Sequence, residues 1–167
     1  MKIKTLIILT VFSMFCGLCG CGKDAELAEY EENVTSFIDE VSGIKLQMDE
    51  IDINSDSAIV DTLICLDAMQ EQFYLLAEMD VPKEFASVES LADEASEYMT
   101  EAVAIYHEVF EADEYDAAKA DVATQNYDRA MKRLSYISTL LQGELPDDEN
   151  LIITEEEVLD FEPVTEE

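Results

Sequence analysis

Between residues 24 and 51 the apolar side chains Leu27, Tyr30, Val34, Phe37, Val41, Ile44, Met48 and Ile51 recur at alternating spacings of three and four. That rhythm keeps them on one stripe of an α-helix, so the spacing predicts a helix of about 28 residues, roughly 42 Å long at about 1.5 Å per residue. Acids such as Glu26, Glu29, Glu31, Glu32, Asp39 and Glu40 fill its other faces. Gly43 interrupts the stripe at a cost of about 1 kcal/mol relative to alanine, too little to end so regular a seam. The polar run from Asp52 to Asp56 does end it, and Ser55 or Asp56 is available to cap the next helix.

Three more amphipathic segments follow. The second runs from about Ser57 to Met79, with Ile59, Leu63, Leu66 and Phe73 on one stripe and Met69 and Leu76 widening it, the broad apolar face that a central bundle helix needs. Pro82 disfavours helix at Val81, while its fixed φ suits the start of a third helix. That third helix carries Val88, Leu91, Ala95, Tyr98, Ala102, Ile105 and Val109, with Phe85 and Phe110 beside the seam. After a corner at Asp113-Glu114-Tyr115-Asp116, the fourth shows Ala120, Ala123, Tyr127, Ala130, Leu134, Ile137 and Leu141, and Gly143 is placed as its C′ residue. Connections this short force each helix antiparallel to its neighbours, so residues 21–143 are expected to form an all-α, up-down-up-down four-helix bundle. The alanines of the third and fourth helices should let that pair approach closely.

Both flanks differ in kind from the bundle. From 143 to 167 there are eleven acids, no Lys or Arg and two prolines, so residues 144–167 are expected to be an acidic, largely disordered tail. Two apolar clusters inside it, Leu151-Ile152-Ile153 and Val158-Leu159-Asp160-Phe161, leave open a segment that docks on the bundle or on a partner. At the other end Lys2 and Lys4 precede an apolar run that finishes in Leu18-Cys19-Gly20-Cys21. This leader resembles a bacterial lipoprotein signal peptide, whose lipobox is a leucine, two small residues and a cysteine. The resemblance implies cleavage of residues 1–20 behind Gly20 and a thioether-linked diacylglyceryl group on Cys21. Cys16 and Cys19 do not fit, because bulky Phe15 and Leu18 precede them. An uncleaved anchor is the alternative, since Thr5 to Gly22 is eighteen uncharged residues. Either way the lysines hold the start in the cytoplasm while the domain crosses.

With its leader, its helix pattern and a Val-Pro-Lys-Glu-Phe helix start at Val81 to Phe85, the chain resembles the small helical-bundle lipoproteins of Gram-positive bacteria. The resemblance implies architecture and a site at the outer face of the cell membrane. It carries over no active site.

Charge narrows the partners. The net charge of −31 becomes −33 once the two leader lysines are removed. A surface so acidic repels nucleic acid, which needs clustered Lys and Arg, so no nucleic-acid partner is expected. It repels anionic lipid too, leaving the acyl chains to make the membrane attachment. Cys65 is the one cysteine left after processing and lipidation, so no intramolecular disulfide can form, and its apolar surroundings in Ile64-Cys65-Leu66 point to a buried small hydrophobe.

Candidate chemistry is sparse. His107 falls opposite the Ile105/Val109 seam near Glu108 and Glu111, the pattern of a solvated side chain. One histidine cannot furnish the paired Glu-x-x-His motifs of a di-metal bundle, and there is no EF-hand loop, phosphate loop or nucleophile elbow. Gln70 falls where one stripe of the second helix would bury it and is expected to set register or to lie at a half-exposed edge, and Arg129, Lys132 and Arg133 are expected to pair with Asp128 and nearby acids along their helix. No catalytic residue, metal or cofactor is expected. The leading expectation is a non-enzymatic, lipid-anchored envelope protein that binds or scaffolds an unidentified envelope partner. The alternative is an acidic protein that sequesters cationic peptides or divalent cations, an activity that salt would weaken as the Debye length falls to about 8 Å at 0.15 M.

Overall fold

A computed structural model describes residues 23–146. Four helices run in order: α1, Lys23–Asp49; α2, Ala58–Ala77; α3, Ala86–Phe110; and α4, Ala117–Leu141, with a single 3₁₀ turn at Lys83–Phe85 leading into α3. They form an antiparallel four-helix bundle in which chain neighbours are spatial neighbours, and α3 and α4 are the most closely packed pair. The expected alanine contact explains that closeness, because Ala92, Ala95, Ala102, Ala120, Ala123 and Ala130 are all buried. Cys21 and residues 147–167 lie outside the described residues. Of the tail read from the sequence, only Glu144, Leu145 and Pro146 are described.

The seam of α1 is buried as its spacing requires: Tyr30, Val34, Phe37, Val41 and Ile44 join the core, and Leu27, Met48 and Ile51 pack half-buried against it. Phe37 meets Phe73 of α2 edge to face, with ring centroids 5.4 Å apart. The helix passes through Gly43 unbroken. Asp52 Oδ1 then accepts the backbone N–H of Asn54 at 3.0 Å, a local turn that competes with continued helix.

Two expectations about α2 are corrected. Ser57 takes the N-cap position and neither Ser55 nor Asp56 caps the helix; Ser55 Oγ instead accepts the Ser57 backbone N–H, at 3.2 Å. Ile59 is 50 % exposed rather than in the seam. Register explains this: Asp67 meets His107, so in antiparallel packing Ile59 falls beyond the end of α3 at Phe110. Cys65 is buried and Gln70 half-buried, as read from the sequence.

The corner after α2 is made by Pro82, extended at φ −58° and ψ 149°, and by Phe85, which is buried and lies 5.8 Å from the Tyr30 ring of α1. On α3 the buried face is wider than one seam. Ala92, Met99 and Val103 are fully enclosed, while Tyr98 and Ile105 sit at its edge, because this helix packs against α2 on one flank and α4 on the other. Asp116 caps α4 by accepting from the backbone N–H groups of Ala118 and Lys119. At the far end Gly143 has φ 73°, its N–H bonds Leu140 O and the Glu144 N–H bonds Thr139 O, the two closing bonds of a Schellman motif.

Candidate functional site

Three places on the described bundle carry polar chemistry. The first is His107. Its Nε2 is 2.7 Å from Asp67 Oδ1 on α2 and its Nδ1 is 3.0 Å from Glu111 Oε1. Both neighbours are carboxylates, and only the imidazolium can donate from both nitrogens, so the hydrogen bonds to Glu111 and then Asp67 raise the His107 pKa above its ordinary 6.5. The expectation of a merely solvated histidine is therefore corrected: the side chain lies opposite the seam but is held between two helices. Glu108, its sequence neighbour, turns instead to Lys119 Nζ of α4 at 2.9 Å, and that pairing raises the Lys119 pKa.

The second is the basic cluster of α4, whose two arginines reach across to α3 while Arg129 and Lys132 also have partners along their own helix. Arg133 Nε donates to Glu94 Oε2 of α3 at 2.8 Å, and the Arg129 and Arg133 guanidinium groups lie 5.5 and 5.2 Å from the Tyr98 ring centre. Arg129 also donates to Oδ1 of Asn126, the one buried polar side chain among the described residues, at 3.3 Å. Lys132 Nζ lies 5.5 Å from the Tyr136 ring. Sequence reasoning placed these cations correctly on one helix. It missed Tyr98 and Glu94, the partners of the two arginines on α3, since a separation of 39 residues between Glu94 and Arg133 leaves no local signal.

The third is a groove of about 460 Å³ between α2 and α3. The small residues Ala77, Ser96, Thr100 and Ala104 line it. Tyr74 stands beside it, 56 % exposed, and Glu78, Asp93, Glu97 and Glu101 form its rim. Asp93, Glu97 and Glu101 follow one another at i, i+4 on α3, where each like-charge neighbour costs about 0.2–0.5 kcal/mol. None of these four acids has an ion pair with a described residue. No sequence pattern announced the groove, because it needs small side chains on two helices to face each other.

Among the described residues no three His, Cys, Asp or Glu side chains are grouped to hold a metal ion, and no helix is long and apolar enough to cross a membrane. No protein-family model matches the chain, and neither a curated protein nor a solved structure matches it.

Proposed function

We propose that the protein is a lipid-anchored, non-enzymatic binding or scaffolding module on the extracytoplasmic face of the cell membrane, attached through a diacylglyceryl group on Cys21. The observation that carries this reading is the leader: two lysines, an uncharged apolar run and Leu18-Cys19-Gly20-Cys21, with α1 starting at Lys23. Only Gly22 separates the anchor cysteine from the first helix, so the bundle stands against the membrane with no spacer. Cys65 is a core side chain, and His107 is held by hydrogen bonds to Asp67 and Glu111. Cys21→Ser in cells fed a fatty-acid analogue tests the anchor. The variant should lose the label and accumulate as unprocessed precursor, because the thioether needs the thiol; a labelled variant would refute the assignment.

A further inference from the structure

The outer face of α2 is unusual for a helix at a protein surface. Val60, Ile64, Tyr74 and Leu75 are 57, 60, 56 and 47 % exposed. Their spacing puts them with Asp67, Glu71 and Glu78 on a single stripe, so apolar and acidic groups share a ridge with no Lys or Arg of its own, Asp67 being paired with His107 of α3. A surface stripe this apolar is the pattern of a contact face rather than of a solvated one. The ridge borders the groove, whose rim of Glu78, Asp93, Glu97 and Glu101 again holds no Lys or Arg. From Asp93 to Ala104 the groove follows about three turns of α3, close to 16 Å at about 1.5 Å per residue.

We infer that this groove and the ridge beside it take a basic amphipathic helical segment of a partner protein, its apolar side on Tyr74 and its Lys or Arg residues against the α3 acids. The inference deepens the binding-module reading and rests on it. Charge complementarity selects the occupant. The chain's own segment 147–167 has ten acids and no base, and a second processed copy brings a net charge of −33, so both would add like charge to a rim already repelling itself. A basic helix relieves that repulsion. Its cations, spaced a turn apart, match acids spaced four residues apart, and the exposed Tyr74 adds an aromatic surface beside them. The small residues Ala77, Ser96, Thr100 and Ala104 leave room along the groove for incoming side chains.

The test uses the full-length lipidated chain in neutral detergent, titrated with a fluorescent 15-residue Leu/Lys peptide carrying a lysine at every fourth position. Saturable one-to-one binding that weakens with salt is expected. The triple variant Asp93→Asn, Glu97→Gln, Glu101→Gln should weaken it about tenfold, at about two- to threefold per exposed charge. A control triple on exposed α1 acids, Glu29→Gln, Glu32→Gln, Glu40→Gln, makes the same change in net charge and should stay within about twofold. Tyr74→Ala should weaken binding with the helical circular dichroism unchanged. Equal losses in both triples would overturn the site in favour of diffuse charge, and absence of saturable binding would overturn it outright. A gain of about tenfold on deleting 147–167 would overturn it too, by showing that the chain's own segment holds the groove. Lipid labelling at Cys21 is read separately, so a failed anchor and a failed groove give different results.

Discussion

His107 Nε2 lies 2.7 Å from Asp67 Oδ1, joining the last turn of α3 to the middle of α2 across 40 residues of chain. The contact is strongest when the imidazole is charged, and the raised pKa fixes the sign of its pH dependence. A group whose folded pKa lies above its unfolded value adds stability that is fully present below about pH 6.5 and is lost as pH rises through the raised folded value. The melting temperature of the native chain should therefore exceed that of His107→Gln by about 1–3 °C near pH 5.5, the scale of an exposed ion pair, and the gap should close by pH 8.5. Comparing the two chains by calorimetry across pH cancels the general repulsion of the acids. A gap independent of pH would mean that His107 acts by packing alone.

The Phe37 and Phe73 rings, 5.4 Å apart and nearly perpendicular, tie α1 to α2 at the centre of the core. Either residue changed to alanine should cost about 3–5 kcal/mol in chemical denaturation. The double variant should cost less than the two singles combined, by about 0.5–1.5 kcal/mol, which measures the ring contact itself. Full additivity would place the rings in independent environments.

Two glycines should respond to alanine in opposite directions. Gly43 lies inside α1 with nothing within 4 Å of an added Cβ, so Gly43→Ala should stabilise the bundle by about 0.5–1 kcal/mol through the unfolded chain's lost freedom. Gly143 holds φ at 73°, a left-handed conformation that a Cβ resists, so Gly143→Ala should destabilise by about 1 kcal/mol and fray the end of α4. Urea midpoints of the two variants, moving apart around that of the native chain, are the check.

Tyr30 is 4 % exposed, and its hydroxyl has no hydrogen-bond partner among the described residues. Burial pushes its pKa up to about 12. Enclosing an unpaired hydroxyl carries a desolvation cost, so Tyr30→Phe should be neutral or should stabilise by up to about 1 kcal/mol while keeping the contact with Phe85. A loss of more than about 1 kcal/mol would reveal a partner for the hydroxyl.

What the chain determined by itself is the set of elements and their order. Spacings of three and four along Leu27 to Ile51 and along Ala120 to Leu141 are local facts, and so are Pro82 before a helix and Gly143 after one. Each acts within a few residues, through backbone sterics and the side-chain period, so α1, the corner at Phe85 and the Schellman end of α4 were legible in advance. The tertiary structure decided everything that depends on which faces meet. Ile59 matches the stripe of α2 but lies past the end of α3. Tyr98 matches the seam of α3 but turns to its rim, where Arg129 and Arg133 cover it. His107 gains Asp67, and Ala77 comes to face Ser96 and Thr100 to open the groove, only because α2 and α3 pack antiparallel in one register. Register between helices is set by the fit of side chains distant in the sequence, and no local period encodes it.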